Sequence, residues 1–279
     1  MNGRMTSRWR LLLSLFGAWL CHAAETPSLD DAFAALRKGD RAAAMSLLGE
    51  VLKAEPENVR AWNVRAQMKS LSGDTEGAVA DLTEAIQRDP KSPYLVMERG
   101  MVLFRRNEIE KALIDFDRVN ELDPRLAAQN WQRGIALYYA GRFADGRRQF
   151  ELHKTVNPDD VENAAWHFLC TAREKGVEEA RKTLIDVEGD TRVPMKEVQR
   201  LFAGKAKPED VMKAAEAAEG TPKDKARNVF YARLYIGLHF EAVGQSEPAA
   251  ENLRAAAAMA PRDDYMGDVA RVHARRLKQ

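Results

Sequence analysis

His167 and Cys170 stand three residues apart in a helical stretch that begins at Val161, so the imidazole and the thiol share one helix face. That is the one pairing in the chain with the residue types of a nucleophile and its base. Both positions fall on the side of the stretch that faces a core, where a thiol behaves as an inert small apolar group. The acidic pairs Asp30-Asp31, Asp159-Asp160 and Asp263-Asp264 have the composition of a general acid and base. Each sits at the N-terminus of a helical run, however, where carboxylates cap free N–H groups and complement the helix dipole. No glycine-rich phosphate loop, HExxH or GxSxG is present, the five histidines sit on separate elements, and no Cys or His pair has zinc-ligand spacing. No catalytic residue, metal or cofactor is expected, and the chain reads as a binding protein.

Charge excludes one large class of partner. The 43 basic and 42 acidic residues leave a net charge of +1, and the basic pairs Arg105-Arg106, Arg147-Arg148 and Arg275-Arg276 read as solvated faces. Nothing there favours nucleic acid or an anionic membrane surface. Residues 1–23 read as a signal peptide: Arg4, Arg8 and Arg10 form a basic start, Leu11 to Leu20 an apolar run, and cleavage falls near Ala23. The run is short for a membrane span. Cys21 is preceded by Ala18-Trp19-Leu20, which lacks the small residue a lipobox needs, so lipidation at Cys21 is not expected and membrane anchoring stays open. Removal of that segment leaves Cys170 alone, which excludes an intramolecular disulfide.

The elements that must position any binding surface keep a period. Prolines fall at Pro56, Pro90, Pro124 and Pro158, each 34 residues after the last. In the 59–92 unit, Trp62, Ala66, Gly73, Ala78, Ala85 and Pro90 hold positions 4, 8, 15, 20, 27 and 32, and the 93–126 unit repeats the pattern with Gly100, Ala112, Phe116 and Pro124. Small residues at positions 8 and 20 allow two helices to cross closely, with Phe116 and Phe150 filling the groove beside them. Gly134, Gly141, Phe150 and Pro158 keep the register in a further unit.

This pattern resembles the tetratricopeptide repeat, a helix–turn–helix unit that stacks into a solenoid. The resemblance implies an all-α fold, a right-handed superhelix of repeats, with four copies in 25–160 (25–58, 59–92, 93–126 and 127–160). From 161 to 225 the period fails, giving a degenerate repeat and an irregular helical segment with short helices expected at 195–203 and 208–218. Thr221 and Asp224 have the spacing of a capping box and open a long helix. A final repeat is expected at 230–263, and residues 264–279 read as a capping helix whose Arg271, Arg275, Arg276 and Lys278 face solvent.

In this family, positions 2, 5, 9 and 12 of the first helix line the inside of the superhelix. Here they supply a polar patch, Arg60, Asn63 and Gln67, then an apolar strip of Tyr94, Met97, Met101, Phe104, Trp131, Ile135 and Tyr138. The strip suits an apolar peptide or an amphipathic helix laid in the groove. The family's basic clamp for a chaperone carboxylate is absent, since Leu29, Phe33, Val64, Tyr94 and Glu98 occupy its positions. The order of parts also resembles tetratricopeptide lipoproteins of bacterial outer membranes. That likeness implies a homodimeric adaptor in the periplasm or cell envelope, recruiting cell-wall hydrolases or a protease. An enzyme with a site in 161–225 and a self-assembling scaffold remain as alternatives.

Overall fold

The computed structural model describes residues 27–277, so the expected signal peptide, Cys21 and Lys278 lie outside it. Four antiparallel helix pairs come first: α1 (Leu29–Arg37) with α2 (Arg41–Ala54), α3 (Val59–Ser72) with α4 (Thr75–Arg88), α5 (Pro93–Arg105) with α6 (Ile109–Leu122), and α7 (Trp131–Tyr139) with α8 (Phe143–Lys154). They begin where side chains can satisfy the first free N–H groups. Asp40, Asn58 and Asp74 accept from the backbone N–H three residues on at 2.9, 3.0 and 2.8 Å. Asn107 ends α5 in the left-handed region, φ 62°, which asparagine tolerates.

The close crossings are where the pattern puts them. A Cβ on Gly100 would lie 2.8 Å from the Phe116 ring, and one on Gly134 would lie 2.7 Å from the Phe150 ring. Both rings are fully buried. A second device recurs at the same register. Arg65 reaches Asp81 with two bonds of 2.8 Å, and Arg99 reaches Asp115 with bonds of 2.9 and 2.8 Å. Asp81 and Asp115 are buried, so each needs the guanidinium that meets it across the helix pair. In the fourth pair Arg133 keeps its place but bonds Gln149 at 3.2 Å and Asp117 at 2.6 Å.

The fourth repeat departs from the period at its start. A 3-10 turn, Pro124–Gln129, delays α7 to Trp131, and buried Asn130 pins the turn by donating to the Phe116 carbonyl and the Asn120 side chain, both at 2.9 Å. Beyond it come α9 (Val161–Lys175), α10 (Val177–Lys182), α11 (Met195–Phe202), α12 (Pro208–Ala217), α13 (Pro222–Ala242), α14 (Ser246–Met259) and α15 (Tyr265–Arg276). Helix α9 is buried along most of its length, and Phe168 packs edge-on against Phe202 of α11 at 5.0 Å. That contact is why a large ring replaces the small residue of the repeat. The capping box of α13 forms as expected, with Thr221 and Asp224 bonded reciprocally.

The terminal helix is not an outward cap. It turns back and packs on α5, with Met266, Val269, Ala270 and Val272 buried. Arg275 and Arg276 remain exposed, as expected, yet the arginines of this helix also fasten it. Arg271 donates to the Ala260 and Pro261 carbonyls at 3.0 Å, Arg276 to Asn107 and the Tyr139 carbonyl at 3.0 Å, and Arg275 to the Arg105 carbonyl. Asp268, 1% exposed, takes Arg105 at 2.8 Å and Arg271 at 2.7 Å. Gly267 permits the approach, since a Cβ there would lie 2.1 Å from the Pro261 oxygen.

Candidate binding site

The returning helix divides the expected inner wall in two. Tyr265 stacks on Phe104 at 5.1 Å between centroids and meets Trp131 edge-on at 5.1 Å. Phe104, Ile135 and Tyr138 are buried, and Met97, Met101 and Trp131 are half-buried against the same core. The apolar strip is therefore not an open peptide groove at Phe104, Ile135 and Tyr138. Tyr265 of α15 covers Phe104 and Trp131, while Tyr138 packs edge-on against Phe143 and Trp166 at 5.6 and 5.4 Å. The polar patch and Tyr94, the first residue of the strip, differ. Arg60 and Tyr94 are exposed, Asn63 and Gln67 half-buried. Gln67 donates to the Tyr94 hydroxyl at 2.7 Å, and the Arg60 guanidinium lies 4.8 Å over Phe33, which links three successive repeats along one wall.

Beside the closure lies a cleft of about 670 Å³, walled by α7, α8, α9, α13 and the turn into α15. Trp131 and Ile135 of the expected site line it, and Trp166, Tyr231, Tyr265 and Met259 supply further apolar wall. Its carboxylates come from helix starts: Asp160 caps α9 by accepting from the Glu162 N–H at 3.0 Å, and Asp264 caps α15 by accepting from the Met266 N–H at 2.8 Å. Each cap thus has a second place in the structure that the sequence reading missed. Glu162 accepts from the Tyr235 hydroxyl at 2.6 Å and from Arg192 at 2.7 Å, and Arg192 also bonds Asp160 at 2.8 Å and Asp190 at 2.6 Å. Tyr231 donates to Asp264 at 2.9 Å.

One arginine shared by three carboxylates leaves Glu162 poorly compensated. Burial pushes its carboxyl up to about 7 against the pull of Arg192 and Tyr235, and neighbouring Asp160 and Asp264 add to the rise. Burial also works against the Asp160 anion, but His153 and Arg192 outweigh it and hold that carboxyl below the usual range. Among the described residues no group of His, Cys, Asp or Glu is arranged to hold a metal ion.

His167 and Cys170 are both buried, and they do not form a nucleophile and base. Burial pushes the thiol well above its ordinary value, and the nearest charged partner of the imidazole is Glu151 at 3.5 Å. The thiol packs against the fourth repeat, where a Cβ on Gly146 would lie 2.8 Å from its sulfur.

Stacked antiparallel helix pairs define an α-solenoid, here closed by α15. Residues 29–68 and 72–127 match the family model of the tetratricopeptide repeat, and the chain carries those repeats. A tetratricopeptide repeat protein from Parabacteroides merdae superposes with a TM-score of 0.59 at 17% identity, covering 88% of this chain and 96% of that one. The MamA protein superposes with a TM-score of 0.53 at 18% identity over 70% of this chain and 96% of its own. A second MamA structure gives 0.51 at 20% identity, over 54% and 88%. At these identities the likeness is one of fold. A comparison with curated proteins finds no match.

Proposed function

We propose that this protein is a non-catalytic adaptor of the bacterial periplasm or cell envelope that binds a protein or peptide on the inner wall of its first three repeats. The observation that carries the reading is the division of that wall: α15 covers Phe104 and Trp131 of the apolar strip and leaves Arg60 and Tyr94 exposed, with Asn63 and Gln67 half-buried beside them. An exposed tyrosine held by a neighbouring glutamine is a rigid anchor with little side-chain entropy to lose on binding. Export is supported by the basic start and apolar run of residues 1–20. Recruitment of cell-wall hydrolases or a protease is the use that the layout favours.

The test has two arms. Replacing Leu13 and Leu15 by Arg interrupts the apolar run and should leave the precursor unprocessed in the cytoplasm; normal processing refutes export. Tyr94→Ala with Gln67→Ala should weaken retention of envelope proteins by at least about 2 kcal/mol at unchanged melting temperature. Full retention by that variant removes the inner wall of repeats 2 and 3 from the binding surface.

A further inference from the structure

The cleft beside Tyr265 is rich in hydrogen-bond acceptors. Asp160, Glu162, Asp263 and Asp264 line it against two permanent cations, Lys223 and Arg227, which stand exposed near the start of α13, and against the His153 imidazole, 3.8 Å from Asp160. Arg192 approaches Asp160 and Glu162 but brings Asp190 with it, so it does not change the balance. Lysine and arginine at an exposed rim can swing aside, whereas Asp160, Glu162 and Asp264 are held by helix starts and tyrosine hydroxyls. A further acceptor waits in the wall. Asn163, 4% exposed, gives its amide N–H to the Phe150 carbonyl at 3.1 Å, and its Oδ1 has no partner. An unmet buried acceptor carries a desolvation cost that an incoming donor would relieve.

The apolar walls match a cation that is also flat. Trp131, Tyr231 and Tyr265 line the cleft, and aromatic faces attract guanidinium and ammonium groups. The protein already shows this chemistry at the site, since the Arg227 guanidinium lies 5.7 Å over the Tyr231 ring. A guanidinium offers five donors in a plane, which suits several fixed acceptors beside a ring better than an ammonium does.

We infer that the cleft receives a basic side chain, arginine before lysine, carried by an extended segment of a protein partner. The ring faces hold its plane and stem, and the carboxylates with Asn163 Oδ1 take its donors. A free small cation would find the same acceptors, but about 670 Å³ is far more than one guanidinium fills, and the remaining wall, Met259 and Ile135 included, suits flanking residues of a chain. This site stands apart from the inner wall of the first three repeats, so either can fail without the other.

The experiment titrates the purified protein with blocked pentapeptides, acetyl-Gly-Gly-X-Gly-Gly-amide, where X is arginine, lysine, citrulline or glutamate. Binding is followed by calorimetry and by the fluorescence of Trp131 and Trp166, which line the cleft. The arginine peptide should bind at least about tenfold tighter than its neutral citrulline counterpart, with lysine between them. Asp264→Asn and Glu162→Gln should each weaken the arginine peptide several-fold while keeping their hydrogen-bond shape. Equal affinity for arginine and citrulline, a preference for glutamate, or no binding by any peptide overturns the proposal. Free arginine binding as tightly as the peptide would assign the cleft to a small molecule and overturn the protein-borne ligand.

Discussion

Tyr265 of the last helix stacks on Phe104 of the third repeat, centroids 5.1 Å apart and planes inclined by 26°. The same junction carries the Asp268–Arg105 pair at 2.8 Å. Aromatic cover and a buried charge pair together fix where the chain returns.

Asp268→Ala should therefore destabilise the protein by about 3 kcal/mol or more, because Arg105 loses its buried partner and Arg271 its anchor. Denaturant unfolding of the variant checks this. A change within about 0.5 kcal/mol, as for an ordinary surface site, would mean that α15 is not held there.

Gly134→Leu tests the repeat crossing. The new Cβ alone would sit 2.7 Å from the Phe150 ring, so the buried ring or the helices that carry the pair must shift. A loss of about 1–3 kcal/mol is expected from overpacking. An unchanged melting temperature would contradict the crossing.

The period was legible because its cause is local and repeated: small residues at the crossings, caps at fixed offsets, a proline after each unit. The Arg65–Asp81 contact was legible in principle too, since the same spacing of 16 returns at Arg99–Asp115. What the pattern of α15 could not convey is direction. Its apolar face and its arginines suit an outward cap as well as an inserted helix, and Asp268 meets Arg105 from 163 residues away. The local sequence makes Asp160 and Asp264 helix caps, which they are. Their meeting in one cleft depends on the return of α15, which no local spacing encodes.

Glu162 makes stability depend on pH in a predictable direction. Its carboxyl is raised from 4.5 to about 7 in the folded protein, chiefly by burial, with Asp160, Asp264, Arg192 and Tyr235 around it. Below pH 4.5 it is protonated in both states and costs nothing. Between 4.5 and about 7 the unfolded chain ionises first, so folding loses stability as pH rises, up to about 3 kcal/mol. The Glu162→Gln variant should match wild type near pH 4 and exceed it at pH 8. Parallel stability curves across that range would show that the carboxyl is not raised.

Cys170 discriminates against a thiol enzyme in the irregular segment. The side chain is fully buried and burial raises its thiol well above the ordinary value, so iodoacetamide at pH 8 should leave it unmodified until the protein is unfolded. Rapid alkylation of the native protein would contradict the burial.

The return of α15 also sets a condition on synthesis. A linear repeat array can consolidate as it leaves the ribosome, each unit resting on the one before. Here Phe104, Trp131 and Tyr139 gain their last neighbours only when Tyr265 and His273 have been translated. Until then a nascent or truncated chain displays aromatic surface, which is what chaperones and proteases recognise. Translation of α15 is thereby coupled to concealment of that surface, and a chain that stops before Tyr265 leaves Phe104 and Trp131 without that ring.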